Sequence, residues 1–346
     1  MRGESRVWGR VGLVRRRTPQ WLIRIVRHRR TGLVLALVVV WAAFSLKNPI
    51  FATGGVALSL AQTMSTVGIL GAGVTLVLAA GEIDLSVGAT YGLVGIVAAK
   101  LFLLGWSVPA LIAASLGVGA GVGLVNGLLS TYGRLPSFIA TLGTLNLGLG
   151  LASIVSGGLA LSVSAATEPS YAHNLEVFSW IGGASLPLNF PIQFIWMSLV
   201  MLILGVTLNR SMLGFRMLAT GSNPNAARVA GINIRRTKIA AFVLSGLTAA
   251  IAGIIDLSYV GSADPTNGST LTFPVFAAVV IGGTSLTGGE ATMIGTALGA
   301  LLLAIITIGL TVASVLSLYQ LVFIGGITLL AVGIDRWTST SRGSQR

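Results

Sequence analysis

The chain has 346 residues, 54% hydrophobic and 9% charged, with 22 Lys and Arg against 9 Asp and Glu and a formal net charge of +13. Soluble domains carry roughly a quarter charged residues, so lipid rather than water surrounds most of this chain, and the fold class is an all-α integral membrane protein. The lack of cysteine excludes disulfides, thiolate nucleophiles and Cys-based metal sites, and two histidines, His28 and His173, do not make a His-rich one.

In chain order, residues 1–30 come first, with ten of the 22 basic residues. Placed directly before an apolar segment, they read as a cytoplasmic tail facing anionic membrane lipid, not as a nucleic-acid surface. A cleaved signal peptide is not expected, because the charged region is long and further apolar segments follow at once. Apolar stretches at 32–46, 54–79, 87–104, 108–130, 137–157, 191–209, 238–260, 271–287, 291–312 and 316–334 then predict about ten transmembrane helices, at roughly 20 residues per span. They form a single membrane domain over 31–336, followed by a C-terminal tail, 337–346. With the N-terminus inside, 20 basic residues fall on the cytoplasmic side and only Lys47 and Lys100 outside. The positive-inside rule therefore places both termini in the cytoplasm. The outer loop 158–190 carries Glu168 and Glu176 and no Lys or Arg. Gly117, Gly119, Gly121, Gly123 and Gly127 in one predicted helix, and Gly295 and Gly299 in another, predict close helix packing or a ligand- or pore-lining surface. Prolines 136, 191, 224, 265 and 274 are expected at segment ends or turns.

Charge near a span is costly, roughly 2.5–3.5 kcal/mol at mid-membrane on insertion scales, so the few acids are informative. Glu82, Asp84 and Ser86 lie in Gly81-Glu-Ile-Asp-Leu-Ser-Val-Gly88. They read either as a helix cap, where an acid meets the positive end of the dipole, or as part of a pathway or gate. Asp256 is expected at the outer interface in water, and Glu290 in a glycine-rich turn. No catalytic motif is present and no Gly-Lys dipeptide occurs, so there is no P-loop. This is not an enzyme, and any ATP motor is another subunit. The cytoplasmic loop 210–238 is the most informative segment. Asn223 suits a cap, Pro224 the first helical position and Gly231 the stop, which predicts a short helix over 225–230 fit for a partner's groove or, alternatively, a solvated basic loop.

Four stretches together resemble the permease subunits of bacterial ABC importers for monosaccharides, the ribose/xylose/arabinose/galactoside group. They are Gly81–Gly88, Leu135-Pro-Ser-Phe-Ile-Ala-Thr-Leu142, Gly214 to Ile232, and Ala277-Ala-Val-Val-Ile-Gly-Gly-Thr-Ser-Leu-Thr-Gly-Gly289. The resemblance implies a type II importer-like permease bundle in the bacterial plasma (inner) membrane. It implies a homodimer with a second copy of the chain, paired with two ATP-binding subunits that hold ATP and Mg, and fed by an extracytoplasmic sugar-binding protein. No cofactor is then bound by this chain itself. The coupling segment would comprise Gly221, Asn223, Pro224, Asn225, Ala226, Ala227, Arg228, Gly231 and Ile232. The family often has Glu where Asn225 stands, and an acid near Leu271–Phe276 where this chain has none. Gln62, Asn126, Thr141, Thr144 and Asn146 either line the path or hydrogen-bond between helices. A permease for branched-chain amino acids or nucleosides is the alternative, ahead of a secondary transporter.

Overall fold

The computed structural model describes residues 29–164, 169–316 and a few positions between 319 and 329. The basic tail up to residue 28, most of the stretch 316–334 and the tail 337–346 lie outside the described residues.

The described chain is mostly helix. α1 (Arg29–Lys47) leads through a 3-10 turn, Pro49–Ala52, whose Ile50 amide is capped by Asn48 Oδ1. Then come α2 (Gly54–Ala79), α3 (Val87–Leu103), α4 (Val108–Thr131) and α5 (Ser137–Ser156), joined by short links. α6 (Pro169–Gly183) lies within the long connection to α7 (Ile192–Arg210). α8 (Met212–Ser222) and α9 (Pro224–Val229) form the basic loop. α10 (Ile234–Val260), α11 (Asn267–Ile281) and α12 (Met293–Val312) complete the bundle. Two tiny antiparallel pairs pin the connections. Leu161–Ser162 pairs with Ser262–Ala263, and Ser185–Leu186 with Phe190–Pro191.

Among the described residues six helices, α2, α4, α5, α7, α10 and α12, are long and apolar enough to cross a membrane, while α1, α3 and α11 are shorter apolar helices. The 15 residues of α11 reach only about 22 Å at 1.5 Å per residue, less than the hydrocarbon core. The sequence places this helix at 271–287. It instead begins at Asn267, ends at Ile281 and carries Pro274 in its interior rather than at a turn. A helix walled in by neighbours tolerates the missing amide donor, and α11 is held between α2, α3 and α12. Lys47 and Lys100, the two exceptions to the charge asymmetry, sit in the last turns of α1 and α3, where a cation is favoured by the helix dipole.

α2 is the axis. It is buried almost without interruption from Met64 to Ala79 and packs against α7, α10, α11 and α12. The outer helices α4, α5 and α7 turn apolar side chains such as Leu128, Ile154 and Leu202 outward, as lipid contact requires. The glycine stripe of α4 divides by face. A Cβ at Gly119, Gly123 or Gly127 would overlap the α10 backbone at Gly246, Phe242 and Ile239, while Gly117 and Gly121 meet nothing within 4 Å. Gly295 and Gly299 likewise lie against Gly282 and Ala278. These glycines buy close backbone approach. Gly123→Leu is expected to cut the yield of monodisperse protein in detergent several-fold, whereas Gly121→Leu leaves it near wild type. Equal yields would remove the α4–α10 seam as a determinant of the fold.

Candidate functional site

The link between α2 and α3 gathers the polar chemistry of the bundle. Gly81 takes a left-handed φ of 77° and ends α2, and the chain then turns inward at Asp84. That carboxylate is 2% exposed. Its Oδ1 accepts the Ser86 amide at 3.0 Å and the Ser86 hydroxyl at 2.6 Å. Its Oδ2 accepts the Ser245 hydroxyl of α10 at 2.8 Å. Ser86 Oγ in turn accepts Asn126 Nδ2 of α4 at 2.7 Å, and Asn126 Oδ1 accepts the Thr144 hydroxyl of α5 at 2.7 Å. Ser137 Oγ accepts the Ile83 amide at 3.2 Å, and the Thr141 hydroxyl donates to the Ile83 carbonyl at 3.2 Å. One polar chain thus ties the link to α4, α5 and α10. Ser86 makes no side-chain cap to α3, so these side chains serve tertiary contacts.

A second tie starts at Glu82. Its carboxylate pairs with the ammonium of Lys238 in the second turn of α10, both side chains being largely buried. Beside it the main chains of three segments touch. Gly221 at the end of α8 lies against Ala79, Gly81 and Gly289, and Gly288 against Gly81 and Gly221. The Gly289 amide donates to the Ala79 carbonyl at 3.2 Å. A side chain at Gly81, Gly221 or Gly288 would push the three segments apart.

The short helix follows from its sequence. Asn223 Oδ1 accepts the amides of Asn225 and Ala226 at 3.1 and 3.0 Å, Pro224 occupies the first turn, and Gly231 at φ 82° turns the chain out of it. Ala226 and Arg228 face solvent, and Ala227, at 4% exposure, packs inward with Ile232 half-buried. Val229 is 91% exposed, with Met212 and Phe215 of α8 also outward. Sequence reasoning passed over Val229. The available signal was an apolar residue two positions beyond Ala227, on the other side of a polar turn.

The remaining candidates lie apart from this core. Gln62 is half-buried in α2, about 25 Å along the helix from its C-terminal end. Asn146 is exposed on α5 and donates to the Leu142 carbonyl at 3.0 Å. Asp256 is not free in water, as its position suggested. It is half-buried and accepts the Tyr91 hydroxyl, bridging α3 and α10. Glu290 lies in the loop after α11, where its carbonyl accepts the Ser285 amide at 2.9 Å. Among the described residues no group of three or more His, Asp or Glu side chains converges on a point.

Glu82 to Ser86, Ser137 and Thr141, the α8–α9 loop and the Gly288-Gly289 turn therefore converge at one end of the bundle, although they are far apart in the chain. Residues 56–332 match the family model described as branched-chain amino acid transport system / permease component. The chain belongs to this permease family. It is 36% identical over 302 residues to the ribose import permease protein RbsC of Escherichia coli K12, covering 87% of this chain and 92% of that one. It is 35% identical over 318 residues to the L-arabinose ABC transporter permease protein AraH of Azospirillum brasilense, covering 92% and 90%. The RbsC of Bacillus subtilis is 36% identical over 308 residues, covering 89% and 93%. The chain is a multi-pass membrane permease, a transport subunit.

Burial pushes the Asp84 carboxyl above its ordinary range, while the hydroxyls of Ser86 and Ser245 and the Ser86 amide pull it back. With the folded value above the unfolded one, its contribution to stability is fully present below the ordinary carboxylate range. It is lost as pH rises through the raised value. Thermal unfolding in detergent between about pH 4 and pH 8 is expected to show this decline, and Asp84→Asn to flatten it. Asp84→Leu leaves the Ser245 and Ser86 donors unpaired and is expected to cost on the order of 3 kcal/mol at low pH, a deficit that narrows as pH rises and the wild type loses its own contribution.

Proposed function

We propose that this chain is the membrane-spanning permease subunit of an ATP-driven importer, and that its cargo is a monosaccharide. The observation that carries the reading is the junction of a short, capped helix with an outward Val229 to the polar core of the bundle through Gly221, Gly81 and the Glu82–Lys238 pair. Relatives named for ribose and arabinose at 35–36% identity over most of the chain support the cargo. In this reading about ten helices span a bacterial plasma membrane with both termini in the cytoplasm. Two copies of the chain pair with two ATP-binding subunits that carry ATP and Mg, and an extracytoplasmic binding protein delivers the sugar.

The mechanism is alternating access. ATP binding draws the motor subunits together and moves the segment Gly221–Ile232. α9 docks through Val229 and its exposed neighbours Asn225 and Ala226, while Ala227 fixes it to the rest of the chain. The displacement enters the bundle where Gly221 lies on Gly81. From there Glu82 passes it to α10 through Lys238, and Asp84, Ser86, Asn126, Thr141 and Thr144 pass it to α4 and α5. These hydroxyl, amide and carboxylate groups hold a geometrically strict arrangement, which suits a gate with discrete states.

Val229→Asp is expected to abolish co-purification of the ATP-binding subunit while membrane insertion is unchanged. Retained co-purification and uptake would rule out docking by this face. Glu82→Lys or Lys238→Glu alone is expected to reduce uptake at least tenfold with the assembly intact, and the double exchange to restore a substantial part of it. No restoration would remove the pair from the coupling route. Uptake by proteoliposomes with the cognate binding protein, screened against pentoses, hexoses and branched-chain amino acids, tests the cargo. Amino-acid uptake alone would overturn the sugar assignment.

A further inference from the structure

Between α4, α9 and α10 lies a cavity of ≈ 600 Å³ whose walls include Ser130, Thr131, Arg228, Asn233, Arg235 and Lys238. Its charge is one-signed. Lys238 is answered by Glu82, but among the described residues no carboxylate pairs with Arg228 or Arg235. Arg235 is held over the Tyr132 ring, 5.0 Å from its centre, which fixes the guanidinium at the cavity mouth without neutralising it. The first turn of α10 adds the positive end of a 27-residue helix. Ser130 Oγ, enclosed within the wall, has no hydrogen-bond partner, and an unanswered buried hydroxyl is a cost that an incoming acceptor removes. Two unpaired guanidinium groups and a free hydroxyl around one space match a phosphate monoanion or diester.

The surroundings choose between sources of phosphate. Leu124, Val125, Leu128 and Tyr132 form one outward stripe on α4, all exposed, and Gly117 and Gly121 extend it with open space above them. Tyr132, the last member, is the residue under Arg235. An apolar track that ends at a basic cavity fits acyl chains below a head group. We infer that this cavity binds the phosphate of an anionic phospholipid of the inner leaflet, with its chains along the α4 stripe. The inference rests on the reading that the 210–238 loop faces the cytoplasm. The bound lipid would brace α9 against α10 at the point where motor movement enters the bundle.

The test uses the full chain, delipidated in detergent and offered phosphatidylglycerol or phosphatidylcholine, with retained lipid counted by native mass spectrometry. Phosphatidylglycerol is expected to be retained at least fivefold over phosphatidylcholine. Arg235→Gln and Ser130→Ala are each expected to lose most of that preference, and Arg216→Gln, an equal charge loss at an exposed position off the cavity, to keep it. Equal retention of the two lipids, or a preference unchanged in Arg235→Gln, overturns the inference. Displacement by millimolar inorganic phosphate reassigns the cavity to free phosphate. Loss of lipid on adding the ATP-binding subunit reassigns it to acidic groups of that partner, and either result also overturns the lipid. The side is tested separately. The chain has no cysteine, so Val229→Cys can be labelled with an impermeant maleimide in vesicles of known orientation. Labelling from the outer side alone defeats the cytoplasmic reading whatever the lipid result.

Discussion

A buried carboxylate sets the terms for the rest of this bundle. Asp84 is removed from water among apolar helices, and an uncompensated charge there costs several kcal/mol. The compensation is local but does not fully offset burial, with one amide and two hydroxyls on its two oxygens. Each donor commits another element. Ser245 fixes the rotation of α10 about its axis, and Ser86 fixes the start of α3. Once Ser86 accepts from Asn126, the register of α4 is fixed as well, and Thr144 carries the constraint to α5. Hydrophobic packing in lipid discriminates poorly between rotations of an apolar helix, since tails and side chains are alike in polarity. The polar chain supplies that discrimination, and the glycine seam of α4 then allows the close approach that the Asn126 bond demands.

Toward α8 and α9 the same link is bound by different means. Backbone contact at Gly81, Gly221 and Gly288 involves no side chains that interlock, so sliding there disrupts little packing. The Glu82–Lys238 pair spans the same junction with long side chains and tolerates displacement while keeping its attraction. The network around Asp84 is short-range and geometrically strict. In the proposed mechanism a displacement would therefore be absorbed at the glycines, carried by the ion pair, and converted to a change of partners at Asp84.

Sequence made the gross plan legible because hydropathy in lipid is a strong signal. Nine of the predicted apolar stretches correspond to α1, α2, α3, α4, α5, α7, α10, α11 and α12. The Asn223-Pro224 start and Gly231 stop of α9 were legible because capping is local chemistry. What sequence left open depends on which face turns inward. Gly119 and Gly121 are identical letters two positions apart, and only one meets α10. Asn126 and Asn146 are both amides within apolar helices. One is locked into the polar chain and the other faces out and bonds its own helix. Pro274 lies inside α11 because neighbouring helices, rather than the local backbone, hold that segment.

The partnering of Asp256 bears on how the chain is driven. A secondary transporter coupled to protons needs an acid that loads from one side and unloads to the other. Asp256 is instead engaged by Tyr91 across the α3–α10 contact, and Asp84 is engaged by three donors from two elements. Loading a proton onto either carboxylate would take an acceptor oxygen from contacts between helices, so titration and structure are bound together at both. The groups left free to meet a partner are at the opposite extreme. Val229, Met212 and Phe215 project from a basic loop whose Met217 and Ala227 pack inward and which meets the link at Gly221 and through the Glu82–Lys238 pair. Force applied from outside the membrane at that loop has a short path inward, and this arrangement favours an external motor over an internal ion site.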